Sequence, residues 1–587
     1  MENVYRQVHR ADLCVIGGGL AGLTAALAAA RRGCRVVLMQ DRPVLGGNCS
    51  SEIRMWPLGC HEGWNREAGI LEELQLENLY RNPQKNYSIW DSVLYGAVLA
   101  QKNIELLLNC TCQEAEMAAP DRIAAVTGWQ LTTYTHHRVE AAFFADCSGD
   151  SILSFLTPAQ YRQGREAAAE YGESIAPKTA DACTMGMSCL LQARQTARAS
   201  TFVPPAWADV FADERRFAYR EHDLADPTFN FWWLELGGRE NTIADTEKIR
   251  DRLLKLSFGT WDHIKNRGDH HAERWELAWA GFLPGKRESR RYVGAYTLTQ
   301  NDVRAKGEFP DTVAYGGWTM DDHEPGGFDY PGAPNVFHPA PSPFGIPLRC
   351  LYSANVQNLG FAGRNISATH AAMSASRVMN TCALLGQALG TAAALAVEQG
   401  LDAFAALYPS RVETLQQRLL EDDCWLPGKK RALSENCTRA QLENAPEVLR
   451  DGIDRDLPGE AHGCTVPLDA PVRYTWRQPL PVQEIRLVFD SDFARQTVHP
   501  DPVLGWYPML CNIPYDMADF HTPETMTRAF AVQYRDAAGV WKTLCRRQNN
   551  YQRVGRISCG AAATGLAFVP LQTWGAAGCH LFAFDFR

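Results

Sequence analysis

None of the 18 cysteines forms a C-x-x-C pair, so the sequence encodes neither a thioredoxin-type dithiol nor a ribbon-type zinc site. Scattered over 587 residues, they read as a reduced pool of mostly buried thiols. No Lys/Arg run exceeds three residues and the formal net charge is −9, which removes the electrostatic footprint of a nucleic-acid or anionic-membrane binder. No apolar stretch is suited to a membrane span, because the best candidate, residues 382–397, is short and interrupted by Gly, Gln and Thr. The N-terminus has no apolar h-region or cleavage pattern, and a cytoplasmic location is expected. No metal site is read either. Asp321, Asp322, His323 and Glu324 are consecutive and cannot all converge on one ion, and no second His/Asp group stands at a regular ligand spacing.

What remains is ordinary globular material, 46% hydrophobic and 21% charged. Its length suits about three or four domains. Residues 11–16 (ADLCVI) read as a buried strand leading into GGGLAGLTAALAAARRG, and RVVLMQ follows as a second strand. Gly17, Gly19 and Gly22 fill a G-x-G-x-x-G pattern. The first permits a tight turn, the second lets backbone approach a pyrophosphate, and the third lets helix and strand touch, with the positive helix end facing the phosphates. A dinucleotide site is therefore expected. At the end of the second strand, where Asp or Glu usually meets the adenosine ribose, the chain has Gln40, whose amide can also bond ribose hydroxyls.

Three further segments favour FAD over NAD as the dinucleotide. Leu45-Gly46-Gly47 follows the second strand, AAFFADCSGDS (141–151) is an apolar strand ending in Ser-Gly-Asp, and residues 358–396 read as strand, polar loop and long small-residue helix. Together with GREAAAEYGESIAP, LPGKRESRRYVGAYTLTQNDV and VAYGGWTMDDH, the phrases QDRPVLGGNCSSEIRMW and NLGFAGRNISATHAAMSASRVMNTCALLGQALGTAAALA resemble the bacterial FAD-dependent oxidoreductase family. That family is related to the glutathione-reductase and fumarate-reductase flavoproteins. The resemblance covers about residues 10 to 420.

It implies an α/β fold: a Rossmann-like FAD-binding domain of glutathione-reductase type, discontinuous over 1–155 and 345–425, with an inserted α+β substrate domain at 156–344. It places Gly17, Gly19 and Gly22 at the pyrophosphate, Gln40 and Arg42 at the adenosine side, and Gly47, Asn48, Cys49 and Ser50 toward the flavin. Asp150 ends the second flavin strand, Gly363 and Arg364 begin another flavin segment, and Asn380 and Thr381 open, as capping residues, a helix aimed at the ring. A helix N-terminus there stabilises the anionic reduced flavin.

No second G-x-G-x-x-G occurs, so the partners expected are a small-molecule substrate and an external electron partner. After about residue 440 the texture alternates apolar and polar residues between turns, which predicts an antiparallel β-sandwich over 440–587, resembling galactose-binding-like modules and suited to glycan binding, packing or homodimerisation.

The candidate catalytic groups are His370, Arg287, Arg290 and His61, and the aromatic run Phe231-Trp232-Trp233 reads as core. A neutral His370 could take a hydroxyl proton while hydride leaves the same carbon. Cys49 stands near the place of a disulfide-reductase cysteine, but ten residues separate it from Cys60, a spacing that does not suit a redox pair. The stretch 46–65 reads instead as the polar wall of a flavin pocket, with Glu52, Arg54, His61 and Asn65 toward substrate. Three functions stay open: oxidation of a carbinol C–H of a sugar, glycoside or other polyhydroxylated compound; fumarate-reductase-like reduction of an activated double bond, with the arginines holding a carboxylate; and a flavin-stabilised binding scaffold.

Overall fold

The computed structural model describes residues 4–587. They divide into two compact units. The first comprises the chain up to Cys60, Lys85–Gln416 and Tyr507–Met517; the second comprises His61–Gln84, Gln417–Trp506 and Ala518–Arg587. The stretch 156–344 thus shares a unit with most of 1–155 and with 345–416, and 61–84 belongs to the second unit.

The first unit is built on a seven-stranded sheet. Its strands are β1 (Tyr5–Ile16), β2 (Val36–Met39), β3 (Ile104–Leu107), β4 (Cys110–Ala119), β5 (Arg122–Gln130), β6 (Thr135–Asp146) and β7 (Leu359–Phe361). The order is β3-β2-β1-β6-β5-β4, with β7 also pairing β6. β3, β2, β1, β6 and β7 run parallel, whereas β4 and β5 add an antiparallel meander. Strands covered on both faces must be apolar throughout, and β2 (VVLM) and the end of β1 (LCVI) are buried at every residue.

Helix Leu20–Arg31 crosses helix Met379–Glu398 at backbone contact. A Cβ at Gly386 would stand 1.9 Å from the Ala21 carbonyl oxygen, and one at Gly390 2.1 Å from that of Ala25, so the crossing requires glycine at both places. Thr24 Oγ1 donates to the Ala383 carbonyl across it at 2.7 Å. Met379–Glu398 is the one helix among the described residues long and apolar enough to cross a membrane; it is 94% buried in the protein core.

Between β6 and β7 the chain forms small sheets around an aromatic core that includes Phe231, Trp233, Trp261 and Trp275. Phe231 and Trp233 are fully buried there, as read from the sequence; Trp232 is partly buried with its edge on the His323 ring.

The second unit carries a seven-stranded antiparallel sheet at the C-terminal end of the chain. Its two longest strands, Val472–Phe489 and Val554–Thr573, are bent by register shifts where they pair. The segment 61–84 is held into this unit by the buried ion pair of Arg495 with Glu72 (2.5 Å) and by Arg455 donating to the Arg66 carbonyl (2.9 Å).

Candidate functional site

The glycine loop is shaped by contacts no side chain could share. Gly17 has φ +99°, and a Cβ there would stand 2.4 Å from the Cys147 carbonyl oxygen; one at Gly22 would stand 1.8 Å from that of Gly17. Gly19 differs, since nothing lies nearer to its Cβ position than Gly47 Cα at 3.9 Å. It is also the N-cap of Leu20–Arg31 with no side-chain cap, so the first-turn amides face the same open space. An open glycine over an uncapped helix N-terminus fits a dinucleotide pyrophosphate.

Gln40 braces this loop. Its Oε1 accepts from Gly18 N at 2.6 Å and its Nε2 donates to the Val44 carbonyl at 3.1 Å, so both ends of the amide serve the turn. Arg42 stays half-buried nearby, with one guanidinium nitrogen, Nη1, making no hydrogen bond.

Residues 46–50 lie against the glycine loop: Gly46 N donates to the Gly18 carbonyl at 2.8 Å, and Gly46 and Gly47 take φ +105° and +59°. The turn is tied from within. Cys49 Sγ donates to the Gly46 carbonyl and Ser50 Oγ to that of Gly47, at 3.1 and 2.7 Å. Burial pushes the Cys49 thiol up to about 12, so it holds its proton and is no redox nucleophile near neutrality. Asn48 Nδ2 reaches the Lys286 carbonyl at 3.1 Å.

Asp150 then gathers two distant segments. It takes Lys286 Nζ at 2.6 Å, Arg364 Nη2 at 2.8 Å and Ser289 Oγ at 2.8 Å. Burial alone would raise its pKa, but Arg364 and Lys286 hold the carboxyl below its usual range. Beyond Gly363 (φ +121°), Asn365 Oδ1 is buried and unbonded, and so is Asn380 Oδ1. Asn380 and Thr381 are the second and third residues of helix Met379–Glu398, whose N-cap is Val378 without a side-chain bond. They do not cap it, and the first-turn amides are left to other partners. The Asn380 amide donates to the Leu58 carbonyl at 3.0 Å, and the two orphaned acceptors fit a flavin, which carries hydrogen-bond donors.

A buried layer of paired charges adjoins this group. His370 sits between Glu288 Oε2 (2.8 Å from Nδ1) and Asp322 Oδ1 (3.0 Å from Nε2), with Arg291 paired to Glu166 at 2.9 Å and to Glu288 at 3.2 Å. Burial alone would lower the His370 pKa, yet Glu288 and Asp322 raise it to about 10. His370 is therefore an imidazolium near neutrality, with both nitrogens occupied, which corrects its reading as a neutral base. Alongside, His323 lies between Glu235 (2.6 Å) and Asp321 (3.2 Å), and Arg377 meets Asp321 at 3.1 Å.

The remaining sequence-derived residues separate. Arg287 donates to Ser188 Oγ (2.9 Å) and the Trp232 carbonyl (2.7 Å) and lies 3.5 Å from Glu235. Arg290 points elsewhere: its guanidinium lies 3.2 Å and 4.0 Å from the ring centroids of the partly exposed Phe155 and Tyr161 and donates to Ser154, a surface stack that removes it from the site. Arg54 lies over Trp279 at 4.6 Å. His61 is exposed, and both it and Asn65 belong to the second unit, because the chain leaves the first at Cys60. The carboxylates Glu166, Glu235 and Glu288 escaped the sequence reading. Glu288 lies inside the GKRESRR cluster, where its position between four cations was the available signal.

The model of the FAD-dependent oxidoreductase family matches residues 12–419. The chain belongs to the FAD-dependent oxidoreductase family. As a member it is an enzyme with FAD as cofactor. No curated protein matches this oxidoreductase. Among solved structures it is similar to a geranylgeranyl bacteriochlorophyll reductase-like protein of Thermoplasma acidophilum (11% identity, 71% of this chain and 88% of that chain, TM-score 0.33). It is also similar to E. coli quinol fumarate reductase (12%, 71% and 75%, 0.28). A family 32 carbohydrate-binding module of Streptococcus pneumoniae EndoD is matched by 25% of the oxidoreductase over 95% of the module (14%, TM-score 0.18).

Proposed function

We propose that this oxidoreductase oxidises a carbinol carbon of a small, neutral, polyhydroxylated substrate, such as a sugar or glycoside. The observation that carries this reading is the commitment of the buried cations. Arg287, Arg291, Arg364 and Arg377 each lie against a carboxylate of the protein, Glu235, Glu166, Asp150 and Asp321 respectively. A substrate carboxylate would have to displace those partners and leave Glu235, Glu166 or Asp321 buried and unpaired, at a cost of about 3–5 kcal/mol for each. A hydroxyl both donates and accepts, and meets such a polar, charge-balanced surface without that cost.

FAD supplies the two-electron acceptor. The hydroxyl proton falls to the Glu288–His370–Asp322 group. With Arg291 and its second partner Glu166 included, three carboxylates face an imidazolium and a guanidinium, so the group carries one net negative charge and can take one proton. Asp322 is its most exposed member, at 20% of the side chain, and passes the proton on to solvent through Oδ2 while Oδ1 stays on His370 Nε2, which, against the upward push of burial, holds this carboxyl below its usual range. Re-oxidation is assigned to an external acceptor, since the chain holds one G-x-G-x-x-G.

The reverse reaction, reduction of an activated double bond, draws support from one feature, the protonated His370, and is opposed by the engaged arginines. Incubating the FAD-loaded enzyme with neutral polyols and glycosides, and with enoates plus a reductant, separates the two. The expected product is a polyol two hydrogens lighter by mass spectrometry. Conversion of an enoate alone, to a product two hydrogens heavier, would replace this proposal with its reverse.

A further inference from the structure

We infer that Glu214, His222, His263 and His270 form a site for a zinc-class divalent cation in the first unit. Their ligand atoms all lie within 4.8 Å of one another. His263 Nε2 and His270 Nε2 stand 2.9 and 3.2 Å from Glu214 Oε1, and His222 Nε2 stands 3.5 Å from Oε2. Tetrahedral ligands at the usual zinc distance of 2.0–2.1 Å are roughly 3.3 Å apart, so these atoms have the mutual spacing of donors around one ion.

The outer contacts argue the same way. His263 Nδ1 lies 3.0 Å from the Phe211 carbonyl and His222 Nδ1 lies 2.7 Å from that of Arg220. A carbonyl only accepts, so each ring carries its proton on Nδ1 and, when neutral, turns an Nε2 lone pair toward the centre. Those lone pairs then face carboxylate oxygens, acceptor against acceptor, an arrangement that a cation between them resolves. His270 Nε2 is buried there without a hydrogen-bond partner. Protonating all three rings instead would set cations with centroids 4.8–5.8 Å apart beside one carboxylate.

Three imidazoles and a carboxylate suit zinc, and four protein ligands leave no open position, which makes the site structural. Between Gln195 and Glu235 the chain has one short 3-10 turn, Glu214–Arg216, as its regular structure. The ion would fasten this long irregular segment to the end of helix Thr246–Asp262, where the chain continues as the π-helical turn His263–Arg267. Irregular stretches of that length need an anchor of some kind, and π turns are frequent at functional sites.

Chelator-stripped, FAD-loaded full-length enzyme titrated with Co2+ tests the site. One equivalent should give a tetrahedral visible spectrum that zinc abolishes, and saturating zinc should raise Tm by roughly 5 °C or more. His222→Gln and His270→Gln should each lose the spectrum while retaining wild-type FAD content, which reports that the fold is kept. A wild-type chain with neither a saturable Co2+ spectrum nor a zinc-dependent Tm overturns the inference, as do variants that bind like wild type.

Discussion

Gly19→Val is expected to abolish FAD binding while leaving the apoprotein as stable as wild type. The backbone of Gly19 has φ −63° and ψ 178°, a conformation open to any residue, and the Cβ position meets nothing closer than 3.9 Å. The protein itself has no need of glycine there. The dinucleotide does, because its pyrophosphate has to approach that backbone and the uncapped amides beyond it. Loss of at least about a hundredfold in affinity, roughly 2.7 kcal/mol, is expected by flavin fluorescence titration. Gly22→Val provides the contrast. Its Cβ would fall 1.8 Å from the Gly17 carbonyl oxygen, so destabilisation and flavin loss should appear together. Full FAD affinity in Gly19→Val would remove the pyrophosphate from this loop.

His370→Leu is expected to destabilise the protein by about 3–5 kcal/mol near pH 6, because it leaves Glu288 and Asp322 without the cation between them. The pH dependence has a definite sign. The folded pKa of about 10 exceeds the ordinary histidine value, about 6.5 in the unfolded chain. The stabilisation is therefore fully present below pH 6.5 and is lost as pH rises through 10. Denaturant unfolding of wild type and variant should accordingly converge between those values. A stability difference that does not change with pH would show that His370 is neutral in the folded protein.

These two residues also mark how far the sequence could be read. The glycine loop was legible because its demands are local: Gly17, Gly19 and Gly22 act within six residues, two of them answering a steric requirement of the turn itself and Gly19 leaving its backbone open to a ligand. The alternation after residue 440 was legible for the same reason, since strand periodicity is a local property that survives as an antiparallel sheet. Gln40 was harder, because its partners are a backbone amide and a carbonyl, to which one-letter patterns are blind. Arg290 was misread for lack of its neighbours, as nothing in GKRESRR announces that Phe155 and Tyr161 will enclose it.

His370 was read as a neutral base, whereas its surroundings keep it charged. Its protonation is set by Glu288 and Asp322, which lie 82 and 48 positions away and meet it only through the fold. The cluster of Glu214, His222, His263 and His270 was hidden for the same physical reason: ligand spacing is irregular along the chain and tight only in space.

The central claim is that the enzyme takes hydride from a neutral carbinol. Its most direct test is the visible absorbance of the bound FAD on anaerobic mixing with a neutral polyol, compared with a hydroxy acid of matched size and, for the dithionite-reduced enzyme, with an enoate. Bleaching by the polyol, faster than by the hydroxy acid, is the predicted result. An oxidised flavin that no polyol bleaches, together with a reduced flavin that the enoate re-oxidises, would contradict it.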